Sequence, residues 1–338
     1  MSRTKPFSDA PLTVLLPAAS ERSPRVDVAD ALRSREFISR VLEECGHVPA
    51  PVDITPGMLR SPAAIMELAR SGGAGCVFNI FEGFSHDSGA EHRFRALLDH
   101  LSLPCTGNPP AALRACLSKD ECCRRLRESG IPVPDGLSLF PGFDPSALSR
   151  LAPPLFIKPL AEDGSVGIDS SSLVLEPRLM LAAVSAKLSD FPEGVRVEEF
   201  IPGREYSVSC MGNDPYTTIG CSYIDFDREG GNYLDYDSKW TPGSPLYSVV
   251  PARAEGDEFT RAATLAEMAG RALGCRGCFR VDMRERCGEL YVLDVNPNPD
   301  ISPDGGFFRQ CRESGMSDAQ TVQALLGLAF EVQGGMCS

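Results

Sequence analysis

Basic residues are scarce in this chain: 33 lysines and arginines stand against 46 aspartates and glutamates, a formal net charge of −13 over 338 residues. With no basic run to offset that balance, long-range attraction to nucleic-acid backbones or anionic lipid is excluded. Long hydrophobic runs are also missing, and no stretch approaches the roughly 18 apolar residues of a membrane span. Arg3 and Lys5 ahead of Leu12–Ala19 imitate a signal peptide. Asp9, Pro11 and Pro17 interrupt that stretch, however, and it is short for the purpose. Only four histidines are present, and the single CxxC, Cys275 to Cys278, has neither a second pair nor a histidine at ligand spacing. It reads as small buried residues entering a strand rather than as a zinc or redox site. Thirteen cysteines, an odd count with Cys122 and Cys123 adjacent, do not form a disulfide framework in a chain this long. A reducing cytoplasm is the expected compartment.

What is present is a globular composition, 43% hydrophobic and 23% charged, which excludes disorder. At about 150 residues per domain the length predicts two or three domains with clefts between them. Strand and helix signals alternate over the first hundred or so residues, as an open parallel sheet requires. Strands are expected at Thr13–Leu16, Val48–Ile54 and Cys76–Ile80, with helices at Asp27–Cys45, Pro62–Ser71 and Glu91–His100. Ser118 to Ser129 reads as a helix with Ser118 as N-cap and Gly130 as its stop. Beyond Ile131 the texture becomes short strands broken by proline and glycine (Leu155–Lys158, Leu173–Leu175, Val195–Phe200, Tyr206–Met211) around a helix at Leu179–Leu188. A third region has a helix at Phe259–Leu273, strands at Phe279–Met283 and Leu290–Val295, and a final helix at Asp318–Phe330. The expected organisation is an α/β N-terminal segment over 1–112, a small α+β lobe over 113–205 and a second lobe over 206–338.

Three segments carry chemistry. In Phe156–Gly167 a lysine, Lys158, ends an apolar strand before the loop Gly164, Ser165, Val166, Gly167. Backbone N–H groups there suit phosphates that the lysine neutralises, although taken alone the loop also reads as an ordinary turn. In Val197–Tyr206, Glu198 and Glu199 precede Ile201, a Pro-Gly turn and Glu205, either ligands for an amine and sugar hydroxyls or an exposed hairpin. In Phe279–Asn296, Asp282 on one strand and Asp294 and Asn296 at alternate positions of the next point to one face. Such oxygen donors suit Mg²⁺, and Arg280 shares the face, where it could stabilise a transferring phosphoryl group.

Together these segments resemble the D-alanine:D-alanine ligase-like branch of the ATP-grasp enzymes, in family order from about Val77 to Phe330. The resemblance extends to LPCTGNPPAALRACLSKD, placing Lys119 as a phosphate lysine beside Lys158, and to LDYDSKW, where Lys239 would reach the ATP phosphates. It implies an ATP-grasp fold behind an N-terminal open-sheet domain. Glu198, Glu199, Ile201 and Glu205 fall at the adenine and ribose, Asp282, Asp294 and Asn296 at Mg²⁺ (with Mn²⁺ as a substitute), and Arg280 at the phosphoryl group. The implied reaction is stepwise: ATP phosphorylates a carboxylate, and an amine displaces phosphate to form an amide. The implied partners are small carboxylate and amine substrates, and the family suggests a homodimer.

The nucleotide half matches this pattern and the substrate half departs from it. Gly164 and Trp240 stand where the family has a serine and a tyrosine of a site-closing cluster, and Glu21 is the nearest counterpart of its substrate-amine glutamate. Asp300 replaces a glycine near the oxyanion, and Gly305 falls where a serine holds the acceptor carboxylate. A charge at Asp300 disfavours such a carboxylate and favours an ammonium. Glu82 and His86 lie in the loop beside the expected cleft, His86 as a substrate contact or a solvated loop residue. The expectation is therefore a carboxylate–amine ligase with substrates other than two D-alanines. The alternatives are the D-alanine (or ester-forming depsipeptide) ligase itself and an ATP-binding module without turnover.

Overall fold

The computed structural model describes residues 10–335 except 23, 72, 102, 163 and 248. Arg3, Lys5 and Asp9 of the signal-like stretch therefore lie outside the described residues. The chain begins with β1 (Thr13–Ala19), α1 (Val26–Glu44), β2 (Val48–Ile54), α2 (Pro56–Leu59), α3 (Pro62–Ser71), β3 (Cys76–Val77) and α4 (Ala90–Asp99). The strands form a parallel sheet in the order β2-β1-β3. Helix α1 covers one face because Phe37, Ile38, Val41 and Leu42 recur at helical spacing, and all four are buried. Strand β3 ends earlier than expected. Asn79 leaves the ladder: its N–H donates to Thr106 Oγ1 at 2.9 Å and its Oδ1 accepts from Phe81 N. A polar side chain thus takes over backbone pairing and ends the strand.

Next come α5 (Pro110–Leu117) and α6 (Lys119–Glu128), then β4 (Gly136–Leu139), β5 (Leu155–Pro159), β6 (Leu173–Val174), α7 (Met180–Asp190) and β7 (Val195–Glu199). Helix α5 was not foreseen, although Pro110 at its first position is a start signal. Ser118 caps α6 by accepting from Glu121 N at 3.4 Å. The second sheet is antiparallel, ordered β4-β7-β5-β6.

The last region holds β8 (Glu205–Gly212), β9 (Tyr216–Ile224), α8 (Phe226–Glu229), α9 (Tyr236–Trp240), β10 (Ala252–Arg253), α10 (Gly256–Leu273), β11 (Gly277–Arg286), β12 (Glu289–Asn296), α11 (Gly306–Glu313) and α12 (Asp318–Gly335). Its antiparallel sheet runs β10-β9-β8-β11-β12. Strand β9, also unforeseen, carries Gly220 where a Cβ would lie 2.8 Å from the Gln310 side chain. Among the described residues no helix is long and apolar enough to cross a membrane.

The cores do not follow simple cuts at 112 and 205. Ala115, Cys116, Cys122, Cys123 and Leu126 of α5 and α6 pack into the core of the last sheet. Helices α11 and α12 pack with α1 and β1. This interleaving fixes the three sheets around one cleft.

Candidate active site

A cavity of about 880 Å³ opens where the sheets meet. Residues from all three regions line it, including Lys119, Lys158, Gly164, Ser165, Val166, Glu198, Glu199, Ile201, Glu205, Lys239, Trp240, Arg280, Asp282, Asp294 and Asn296. Glu82, Asp300 and Gly305 line its other end. Gly167, Glu21 and His86 do not. Gly167 lies behind the loop, with φ +72° and a Cβ position 2.5 Å from the Phe191 ring, so only glycine fits there. His86 is exposed on the tight turn in which Phe84 N donates to Asp87 O. Glu21 accepts from Ser85 N at 3.0 Å and from the Ser85 hydroxyl, tying two N-terminal loops together.

The strand pairing places the acidic wall. Asp282 lies directly opposite Asp294, and Arg280 opposite Asn296, so all four side chains share one face. Arg280 holds Asp282 bidentately, Nε to Oδ1 at 2.9 Å and Nη2 to Oδ2 at 2.8 Å. Burial alone would raise the Asp294 carboxyl, but Lys119, Lys158, Arg280 and Lys239 hold it below its usual range. Lys119 Nζ is 3.7 Å from Asp294 Oδ1. No group of three His, Cys, Asp or Glu among the described residues could hold a metal; the donor set here is two carboxylates and one carboxamide. Asn296 Oδ1 already accepts from Asn298 N at 2.8 Å, which leaves it one lone pair. Such an all-oxygen set fits a hard divalent cation.

The register slips one residue after this pair, from Asp282 against Asp294 to Met283 against Val292. Leu293 is thereby bulged, and its carbonyl accepts from Lys158 Nζ at 3.0 Å. Lys158 also meets Glu198 at 2.6 Å, and Arg196 Nε donates to the other Glu198 oxygen at 2.7 Å. Arg196 was not named from sequence, yet its position two residues before Glu198 on a strand puts it on the same face. The same spacing relates Phe156, also unnamed, to Lys158, and the rings of Phe156 and Phe200 line the cavity. Lys239 lines the cavity and is exposed there; desolvation by the surrounding protein, then Arg280, pulls its ammonium pKa down. Trp240 Nε1 donates to Gly164 O at 3.1 Å, joining α9 to the phosphate-type loop.

The two departures near the C-terminus meet in space. A Cβ at Gly305 would lie 2.8 Å from Asp300 Oδ2 and 2.9 Å from Asp300 O. The aspartate thus occupies the volume into which a side chain at 305 would project. Asp30, which also lines the cavity, has its carboxyl pKa raised by burial and then by Asp300.

Residues 143–327 match the family model described as D-ala D-ala ligase C-terminus. A D-alanine--D-alanine ligase of Desulforudis audaxviator is 29% identical over 89% of this chain and 94% of its own length. Another from Dinoroseobacter shibae is 31% identical over 71% and 73%, and an uncharacterised protein, y4sG, of Sinorhizobium fredii is 28% identical over 88% and 87%. In fold, a Bacillus anthracis D-alanine--D-alanine ligase solved with ATP superposes with a TM-score of 0.77 at 16% identity, over 96% of this chain and 99% of that one. With more than half of its length matched by the family model and a relative 31% identical over 71% of it, this chain belongs to the D-alanine–D-alanine ligase family of ATP-grasp enzymes.

Proposed function

We propose that the protein is an ATP-dependent ligase that joins a carboxylate to an amine, releasing ADP and phosphate, with an acceptor that carries no carboxylate at the position D-alanine would place one. The nucleotide half rests on one observation: Lys119, Lys158, Lys239 and Arg280 converge with Asp282, Asp294 and Asn296 on one cavity. The lysines would neutralise a triphosphate and hold its terminal phosphorus near a substrate carboxylate oxygen. Attack on that phosphorus breaks its bond to ADP and yields an acyl phosphate. Attack by the amine nitrogen then expels phosphate, the amine losing a proton, while Arg280 stabilises the oxygen on which charge develops. A Mg²⁺ ion held by Asp282, Asp294 and Asn296 would supply charge neutralisation to the phosphates.

The acceptor class follows from the other end. Asp300 fills the space of a side chain at 305 and lines the cavity together with Asp30, so a substrate carboxylate there would meet negative charge. An acceptor bearing a second ammonium suits that surface. The relatives named D-alanine--D-alanine ligase carry a second reading, D-alanine as both donor and acceptor. An ADP-release screen over a carboxylate panel, with hydroxylamine trapping the acyl phosphate as a hydroxamate, identifies the donor. Asp282→Asn and Lys158→Ala are expected to abolish the signal, and full activity in either would refute the site. Diamines and dibasic amino acids are expected to outperform D-alanine as acceptors; D-alanyl-D-alanine made at an enzyme-typical rate would establish the second reading instead.

A further inference from the structure

Arg284 has no place in the chemistry above, yet it lines the cavity beside Glu205. The two face each other across neighbouring strands, Arg284 of β11 paired with Glu205 of β8. Its side chain is only 4% exposed. The guanidinium carbon lies 4.8 Å from the Phe200 ring centre and 4.9 Å from that of Phe226, and Nη2 donates to Gly203 O at 2.9 Å. Phe200 and Gly203 belong to the segment that carries the chain from β7 into β8, between the second and third sheets. Arg284 therefore clamps that crossing in place, its plane held by aromatic rings and one end by a carbonyl.

One group of this arginine is left over. Among the described residues its Nε–H is buried with no hydrogen-bond partner, and Glu205 Oε2 is 4.0 Å away. A buried donor without an acceptor is costly and uncommon in native structures. Closing the gap to an ordinary bond takes about 1 Å of movement, and Glu205, at the cavity surface, is the partner free to move.

We propose that Arg284 is a positioning residue for the nucleotide sugar: in the nucleotide-bound protein its Nε–H donates to Glu205 Oε2 and turns the other carboxylate oxygen toward the ribose hydroxyls. This rests on the reading of Glu205 as the ribose contact. Arginine suits the task because a planar fork held at Nη2 leaves Nε aimed in one direction, which a rotating ammonium cannot reproduce.

Equilibrium titration of the full-length protein with ATP, 2′-deoxy-ATP and 3′-deoxy-ATP tests it, because the ratio of affinities isolates the sugar contact from general damage to the site. The wild type is expected to bind at least one deoxy analogue about tenfold more weakly than ATP. Arg284→Met is expected to bring that ratio below about threefold by weakening ATP alone, and Arg284→Lys, which keeps the charge but not the fork, to fall between. Should the Met variant not fold, the Lys variant decides on the same ratio. An unchanged ratio, with ATP and its analogues weakened equally, would show a purely structural arginine and overturn the proposal. Glu205→Gln separates this failure from failure of the underlying reading. If it abolishes the discrimination while Arg284 variants keep it, only the role of Arg284 falls. If the wild type shows no discrimination and Glu205→Gln changes nothing, the ribose reading falls and takes the proposal with it.

Discussion

Replacing Glu198 with alanine would leave Lys158 and Arg196 facing each other across a buried gap. The side chains of Lys158, Glu198 and Arg196 are 10%, 3% and 2% exposed, and the two contacts to Glu198 are 2.6 and 2.7 Å. At an effective dielectric of about 20, each contact is worth about 6 kcal/mol of Coulomb attraction before desolvation. Desolvation of three charges offsets most of that, so the net worth of the intact triad is small. Breaking it is another matter: loss of one partner from a buried pair costs about 3–5 kcal/mol, because a charge remains without compensation. At about 2–4 °C per kcal/mol for a cooperative unit of 150–250 residues, Glu198→Ala should lower the thermal midpoint by about 6–20 °C. The triple variant Lys158→Met, Arg196→Met, Glu198→Leu should lose far less than the sum of the single changes, while ATP binding disappears. Urea unfolding of the single, paired and triple variants measures this. The reasoning is refuted if Glu198→Ala costs under about 1 kcal/mol, or if the three losses simply add.

Three further outcomes are expected. Lys239 has a depressed pKa, from burial and then Arg280; its charge, and the share of ATP affinity that depends on it, should be complete below that value and fall as pH rises through it. Lys239→Arg should flatten the alkaline decline in a titration of ATP affinity from pH 7 to 10, and an identical decline in the variant would exclude Lys239 as its source. Gly167→Ala places a Cβ 2.5 Å from the Phe191 ring at positive φ and should destabilise by about 2–4 kcal/mol, seen as a lower urea midpoint with unchanged slope. Trp240→Phe removes the bond to Gly164 O and should weaken ATP roughly fivefold with little change in the thermal midpoint; unaltered affinity would mean that the tryptophan does not order the loop.

Much of the cavity's acidic wall was legible in the chain because it depends on local periodicity. On a strand, residues two apart share a face whatever surrounds them, so Arg280 with Asp282, and Asp294 with Asn296, declared themselves without knowledge of the fold. Ser118 as a cap and Gly130 as a stop are equally local. The paired spacing of Arg196 with Glu198, and of Phe156 with Lys158, held the same information unused. Strand β9 was obscured because Gly220, locally discouraging in a strand, suits the Gln310 side chain packed against it, whereas Pro110 is a local start signal for α5.

Other features existed only once distant segments met. That Asp282 opposes Asp294 follows from a pairing register, and that Leu293 offers its carbonyl to Lys158 follows from a bulge in that register. His86, in a loop near the cleft by sequence, sits exposed on a tight turn and does not line the cavity. Asp300 and Gly305 are separate oddities in the chain; in space they are one exchange of volume, since a side chain at 305 would collide with the aspartate. The sequence by itself determined which chemical groups were available and which faces they shared, because those are properties of the backbone repeat. Only the tertiary structure decided their partners, because burial, charge pairing and steric exclusion depend on atoms tens to hundreds of residues away.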